Sequence, residues 1–370
     1  MSSQRSNSQL ASIQILRGVA ASLVVLHHFA HAIETYSKQE SWIVKSGLGA
    51  LGAAGVDLFF VISGFIMVYT TRNRVGPQDA LSFFYKRARR VFPLYWFWTT
   101  VLLLLWLTNI ALRSHTFPLP YIVASYLLIP AYHGTTSHPL LDQGWTLSFE
   151  MLFYIAFATA MIFVSNARRL VVVPVLLTAT ALLGALLSSP SAVRDLLTNS
   201  LITEFVLGML AAEIAVRMRA ARAVTRPWSP WWPLLLVSAG MLLMLATLAI
   251  PQGMYSRGLV WGIPSVLIVL GAALFNDSSR RGLAVYLGDA SYSIYLTHGF
   301  VALAFGTALQ KVTVLQSLQP DGLILGATVA TVLLTSLSYP LVEKPLLKLL
   351  SRGEPDRKRA ESVLGTATIR

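Results

Sequence analysis

Long apolar runs alternate with short polar segments along most of the chain. Each run approaches the roughly 20 residues that a helix needs to cross the hydrocarbon core of a bilayer. The pattern predicts ten membrane-spanning helices, near residues 14–33, 51–70, 91–110, 145–164, 170–188, 200–216, 231–250, 258–275, 284–306 and 323–342. We therefore predict an all-α polytopic membrane protein with about ten transmembrane helices.

Basic residues concentrate in alternate connecting segments. With the N-terminus in the cytoplasm, most of the 29 Lys and Arg residues fall on the cytoplasmic side, as the positive-inside rule requires. Both termini are then predicted to be cytoplasmic. In this prediction residues 1–350 form one integral membrane domain, and residues 351–370 form a short tail that is too polar to fold alone.

Composition narrows the class of protein further. Hydrophobic residues make up 55% of the chain and charged residues only 12%, which excludes an ordinary soluble domain. The net charge of +13 follows the topology, so we expect no nucleic-acid partner. The chain has no cysteine, which excludes thiol catalysis and Cys-based zinc sites. The histidines lack zinc-hydrolase spacing, and we predict no bound metal.

The connection 111–144 is the longest one that the topology puts outside the cell. It carries the apolar stretch YIVASYLLI between prolines, which is too short for an ordinary span. We interpret it as a re-entrant or interfacial element that covers the outer mouth of a cavity.

The first span contains an arginine and a histidine, Arg17 and His28, eleven residues apart. Eleven residues are three helical turns plus about 20°, so both side chains share one helix face, roughly 16 Å apart along the axis. An ionisable group at that depth is costly and points to function. A buried histidine that bonds a neighbouring helix is the alternative.

A basic cluster precedes the third span and consists of Lys86, Arg87, Arg89 and Arg90. Two interpretations remain open. The cluster anchors the helix among phospholipid headgroups, or it binds the phosphates of an anionic nucleotide ligand, which arginine forks hold in bidentate fashion.

Other polar residues lie inside or beside apolar spans. Glu150 in the fourth span either orients His28, as carboxylates do in hydrolytic triads, or forms a structural ion pair. Ser63 is followed by Gly64, a combination more typical of close helix packing than of a nucleophile. In the ninth span, the i,i+3 spacing of Tyr292, Tyr295 and His298 lines one helix face, which we expect to look into a cavity. The other candidates for that cavity are Asp57, Trp145 and Ser291.

Six segments together resemble the membrane acyltransferase-3 family: LRGVAASLVVLHHF, GVDLFFVISGFIM, FYKRARRVFPLYW, QGWTLSFEMLFYI, LGDASYSIYLTH and YPLVEKP. They follow the family's order from Leu16 to Pro345. The resemblance implies transfer of an acyl group, commonly acetyl, from cytoplasmic acyl-CoA to a hydroxyl of a cell-surface or lipid-linked carbohydrate. It also implies a bacterial inner-membrane location.

The family's first-span signature is an arginine, ten residues, then a histidine. It selects His28, with a swap to the neighbouring His27 left open. We expect His28, Arg17 and Glu150 to be catalytic, with His28 acting as general base or as a covalent acyl carrier. The phosphates of acetyl-CoA are expected to contact Arg17, Lys86, Arg87 and Arg90. The substrate cavity is expected to include Asp57, Ser63, Trp145, Ser291, Tyr292, Tyr295 and His298.

If the resemblance is set aside, two other functions are consistent with the predicted spans and their polar residues. A transporter or flippase of a lipid-linked glycan would also bury Arg, Glu and His residues. A lipid- or sugar-sensing scaffold without turnover would retain its function when His28 is replaced. The identity of the acyl group, the acceptor and the side of the membrane on which it is modified stay open at the level of sequence.

Overall fold

The computed structural model describes residues 11–134, 136–187, 191–224, 231–250, 253, 256–275 and 282–351. The predicted tail beyond Ser351 lies outside the described residues. The helices are α1 (Ala11–Tyr36), α2 (Trp42–Lys45), α3 (Leu48–Leu51), α4 (Ala54–Thr70), α5 (Pro77–Leu107), α6 (Leu119–Tyr126), α7 (Gly144–Phe163), α8 (Asn166–Leu186), α9 (Ala192–Thr198), α10 (Ile202–Val224), α11 (Trp231–Ala246), α12 (Arg257–Val260), α13 (Gly262–Leu274), α14 (Leu283–Asp289), α15 (Ser291–Lys311), α16 (Thr313–Ser317), α17 (Pro320–Ser336) and α18 (Lys344–Ser351). A 3₁₀ turn at Thr247–Ala249 and a π-helical turn at Tyr339–Glu343 complete the list.

Each predicted span overlaps helix in the described residues, so the prediction of an all-helical polytopic membrane protein is confirmed. Among the described residues, eight helical stretches are long and apolar enough to cross a bilayer. The other two predicted spans correspond to α10 and α11. The polarity of α10 is higher because it carries Glu204, Glu213, Arg217 and Arg219, and α11 has only 16 residues.

Two glycines allow the central helices α4 and α10 to cross at backbone contact. A Cβ atom at Gly64 would lie 2.0 Å from the Phe205 carbonyl oxygen, and one at Gly208 would lie 2.1 Å from the Val61 carbonyl oxygen. Small residues at a crossing are the usual means of close helix approach in membranes. The prediction that Gly64 marks a packing surface is therefore confirmed.

Helix α1 packs against α14, α15 and α17. The closest approach is at Gly288, where a Cβ atom would meet the Gln14 carbonyl oxygen at 2.0 Å. The ninth predicted span is interrupted between α14 and α15, just after this crossing. The start of α15 is thus held beside the turn of α1 that carries Arg17.

The connection 111–144 packs against α5 and the start of α7, and in its described residues α6, with eight residues, is the only helix before α7. Tyr95 donates a hydrogen bond to the Ser125 carbonyl oxygen at 2.8 Å, and Ser148 donates to the Leu128 carbonyl oxygen at 2.8 Å. The described part of this connection contains no helix long enough to span a bilayer, as the length of its apolar stretch predicted.

Candidate active site

A cavity lies among α1, α4, α5, α7 and α15. Its polar lining consists of Arg17, Ser63, Arg87, Arg90, Thr146, Glu150, Tyr154, Tyr292 and Tyr295. The remaining lining is apolar and comes mainly from α4, so the cavity joins a cationic end to an apolar body.

Three arginines supply the cationic end. Arg17 is only 8% exposed, and its Nη1 atom donates to Gln14 Oε1 at 2.8 Å. Arg87 and Arg90 line the same end from one face of α5, because residues three apart share a helix face. Lys86 is exposed and does not line the cavity. The basic cluster is therefore divided, with two of its arginines turned inward.

Glu150 is held by a serine from the neighbouring helix α4. Ser63 Oγ donates to Glu150 Oε1 at 2.7 Å, which gives Ser63 a positioning contact within the cavity. Among the described residues no hydrogen bond joins Glu150 to His28. The carboxylate instead lies close enough to Arg17 to interact with it electrostatically, so it offsets part of the positive charge.

The tyrosines of α15 form the wall opposite α4. Tyr292 donates its hydroxyl hydrogen to the Val91 carbonyl oxygen at 2.8 Å. The Tyr295 hydroxyl pairs with Thr146 Oγ1 at 2.9 Å. Both tyrosines line the cavity as their spacing predicted, and their rings are fixed by these bonds.

Two histidines lie next to each other beyond Tyr295. The ring centroids of His28 and His298 are 4.9 Å apart, and those of His298 and Tyr295 are 5.8 Å apart. Neither histidine belongs to the cavity lining itself. Tyr295 therefore borders both the cavity and His298.

Two of the histidines near this site, His27 and His298, each place Nδ1 against a backbone carbonyl oxygen. His27 Nδ1 lies 3.0 Å from the Gly49 carbonyl oxygen, and His298 Nδ1 lies 3.3 Å from the Ile294 carbonyl oxygen. A carbonyl oxygen can only accept, so Nδ1 is the donor in each ring and the neutral ring keeps a lone pair on Nε2. His298 Nε2 is buried without a partner among the described residues, close to His28.

Comparison with known proteins identifies the family. The family model described as "Acyltransferase domain" matches residues 10–343, which is nearly the whole chain. The chain belongs to the acyltransferase-3 family. It is 34% identical over 316 residues to the exopolysaccharide production protein ExoZ of Rhizobium meliloti (strain 1021), covering 84% of this chain and 93% of that protein. It is also 23% identical over 378 residues to acyltransferase MdmB of Streptomyces mycarofaciens, covering 94% of each. No solved structure matches the chain significantly.

The prediction of an acyltransferase is thus confirmed, and the enzyme requires an acyl donor as co-substrate. In the described part of the enzyme, no three His, Asp or Glu side chains form a group that could hold a metal ion.

Four of the predicted cavity residues of the acyltransferase lie outside the cavity lining, and one of them is His298 of the histidine pair. Asp57 is fully buried and forms an ion pair with Arg257, whose Nη2 is 2.8 Å from Asp57 Oδ2. Trp145 lines a separate pocket on another face of α7. Ser291 is fully buried, without a partner for its Oγ atom among the described residues. Helix rotation decides these positions, and apolar context alone does not reveal it.

Several residues of the acyltransferase were missed at the level of sequence. Glu204 is fully buried beside the Asp57–Arg257 pair, and a carboxylate within a span was the signal that could have identified it. Glu343 accepts a hydrogen bond from Ser293 at 2.6 Å and interacts electrostatically with Arg17.

A third missed group, Asp142, lies in the connection before α7. Its carboxylate interacts electrostatically with both His28 and His298. Burial opposes its ionisation, but the hydrogen bond with His138 Nδ1 at 2.6 Å lowers the pKa of Asp142 below its ordinary value. No sequence signal identified it, because residues 138–142 are not helical and an i,i+4 spacing brings side chains together only on a helix. A negative charge is thus present near the histidine pair.

Proposed function

We propose that the enzyme transfers an acyl group, most simply acetyl, from cytoplasmic acyl-CoA to a hydroxyl of a cell-surface or lipid-linked saccharide. The observation that carries this proposal is the cavity with three arginines at one end and the His28–His298 pair beyond the other. The name of one relative, an exopolysaccharide production protein, supports a saccharide acceptor.

The arginines suit the donor. Coenzyme A carries several phosphate charges, and guanidinium groups bind phosphate oxygens with paired, charge-assisted hydrogen bonds. Arg17, Arg87 and Arg90 line one end of the cavity, and the apolar body beyond them fits a pantetheine arm. The rise of roughly 16 Å from Arg17 to His28 agrees with an extended donor whose thioester lies near the histidines.

His28 is the proposed reacting group, in one of two routes. As general base, its neutral ring takes the proton of the acceptor hydroxyl while the oxygen attacks the thioester carbonyl. The C–S bond then breaks, and the coenzyme A thiolate leaves with that proton. As acyl carrier, the ring attacks the thioester carbonyl first, the C–S bond breaks, and coenzyme A leaves as the thiol with the ring proton. The acceptor hydroxyl then attacks the acylated ring, the bond between the acyl carbon and the ring nitrogen breaks, and the hydroxyl proton returns to the ring.

The neighbours of His28 support its choice over His27. His27 Nδ1 donates to the Gly49 carbonyl oxygen, whereas His28 faces the unpartnered Nε2 atom of His298. We assign His298 as a positioning residue that accepts a hydrogen bond, and Glu150 as the group that balances the charge of Arg17. Trapping acyl-enzyme after a brief exposure to labelled acetyl-CoA separates the two routes.

In the topology that we propose with this function, the enzyme lies in a bacterial inner membrane and both of its termini lie in the cytoplasm. The donor is made inside the cell, so the arginines then face its source. The connection 111–144 would lie outside, where a surface saccharide can approach the histidines.

The decisive experiment compares cells that lack the gene and carry wild type, His28→Ala or His31→Ala at equal membrane levels. His31 lies on the same helix with an exposed side chain, so His31→Ala is the matched control. Base-labile acyl groups on surface polysaccharides are measured by mass spectrometry. We expect acyl esters with wild type and His31→Ala and none with His28→Ala. Identical glycans in all strains would contradict the proposal and favour the transporter function.

A further inference from the structure

A second pocket lies on the face of α7 that points away from the arginine-lined cavity. It is bounded by α7, by α9 and by the part of the connection that precedes α7. Its main side chains are Ser137, His138, Trp145, Ser148, Asp195 and Asn199. We call it the Trp145 pocket.

Trp145 is held in a fixed orientation. Its ring stacks on His138 with a centroid distance of 5.6 Å and an interplanar angle of 14°. It also meets Phe149 edge-on at 5.9 Å. An aromatic ring held in this way offers apolar area without losing conformational freedom when a ligand binds.

Polar groups around this ring retain hydrogen-bonding capacity. Asp195 uses Oδ2 to accept from Tyr132 at 2.5 Å, which leaves Oδ1. Asn199 uses Oδ1 to accept from the Leu201 amide at 3.0 Å, and its Nδ2 makes no hydrogen bond with the described residues. The same holds for Ser137 Oγ and Trp145 Nε1 within that part of the chain.

This combination favours a sugar ring as ligand. A pyranose has an apolar C–H face that stacks on an aromatic ring and a rim of hydroxyls that both donate and accept. No described Lys or Arg lines the pocket, so phosphate and other anionic headgroups lack a counter-charge there.

The Trp145 pocket is linked to the histidine pair by one hydrogen bond. His138, which stacks on Trp145, hydrogen-bonds Asp142 at 2.6 Å, and Asp142 interacts electrostatically with His28. The pocket is therefore connected to the reacting group through Asp142, whereas Trp145 and Glu150 line different pockets from different faces of α7. One sugar ring cannot occupy the pocket and reach His28 at once.

We propose that the Trp145 pocket binds one sugar residue of the acceptor while a different residue of the same saccharide is acylated. The proposal rests on the proposed function. It implies that the acceptor contains at least two sugar residues and that the pocket sets which of them reaches the histidines.

The test uses the full-length enzyme in lipid nanodiscs. The probe is exopolysaccharide of the host, stripped of acyl groups with base and cut into size-fractionated oligosaccharides. The variants are Trp145→Ala and Asn199→Ala. Trp42→Ala is the matched control, because Trp42 is 65% exposed and lies outside the pocket. Oligosaccharide binding is measured by titration calorimetry without donor, and transfer is measured separately as coenzyme A release from acetyl-CoA.

We expect Trp145→Ala and Asn199→Ala to weaken oligosaccharide binding and raise the acceptor KM by about tenfold. The kcat at saturating acceptor and the KM for acetyl-CoA should change less than about twofold, and Trp42→Ala should match wild type. Equal oligosaccharide binding by wild type and both pocket variants would overturn the proposal that the Trp145 pocket binds a sugar residue, even if transfer proceeds. Binding without transfer to any oligosaccharide by wild type would instead overturn the proposed function and leave the pocket standing.

Discussion

At the scale of single residues, helix rotation determines which polar groups reach the cavity. Arg87 and Arg90 line it, while Lys86, in the same cluster, is exposed to the surroundings. The sequence marked the whole cluster as a candidate site. It did not separate the inward members from the outward ones, because the phase of a helix in a bundle depends on its neighbours.

Replacement of Arg17 tests the donor end. We expect Arg17→Ala to raise the KM for acetyl-CoA by about 10- to 100-fold, since a hydrogen bond to a charged group contributes about 1.5–3 kcal/mol. The acceptor KM should change much less. Steady-state kinetics in nanodiscs measure both constants. Lys86→Ala is the control and should leave the KM for acetyl-CoA unchanged. An unaltered constant in Arg17→Ala would remove the phosphate-binding role.

At the scale of helices, close crossings and one buried ion pair join the elements. The sequence suggested the crossing at Gly64, because a small residue in a span is typical of helix contact. It gave no partner for that glycine and none for Asp57. Phe205 and Arg257 lie 141 and 200 positions later in the chain, and no local pattern connects residues at such separations.

The glycine crossing should be intolerant of a methyl group. We expect Gly64→Ala to lower the free energy of unfolding by about 3 kcal/mol. The new Cβ atom would meet the backbone of Phe205, which cannot move aside as a flexible side chain can. Thermal unfolding in detergent measures the effect. Gly326→Ala is the matched control, since nothing lies within 4 Å of a Cβ atom there, and it should be neutral or stabilising. Equal melting temperatures for the two variants would show that α4 and α10 do not cross at backbone contact.

The Asp57–Arg257 pair should connect α4 to α12. Removing one partner of a buried pair leaves an uncompensated charge, so Asp57→Ala should cost about 3 kcal/mol of unfolding free energy. The double variant Asp57→Ala, Arg257→Ala should recover part of this loss, as a double-mutant cycle reveals. If the two single losses simply add, the residues do not interact.

At the scale of the whole molecule, the hydropathy pattern and the charge bias together predict a topology. The chain has no cysteine, so any introduced cysteine reports its own position alone. We expect a membrane-impermeant maleimide to label Ser114→Cys in intact cells. It should label Gln78→Cys only after lysis. Both side chains are exposed. The reverse labelling would contradict the proposed orientation. The arginines that line the cavity would then lie on the side of the membrane away from the cytoplasmic acyl-CoA.

The sequence by itself determined the helical class, the positions of the spans and the family, because a bilayer forces long apolar helices and the family motifs are local. It also supplied Arg17 and His28, since eleven residues on one helix fix their relative position. Only the tertiary structure decided that His28 meets His298, that Glu150 is held by Ser63, and that Trp145 faces a second pocket. These are contacts between distant segments, and they depend on how each helix is rotated and crossed in the bundle.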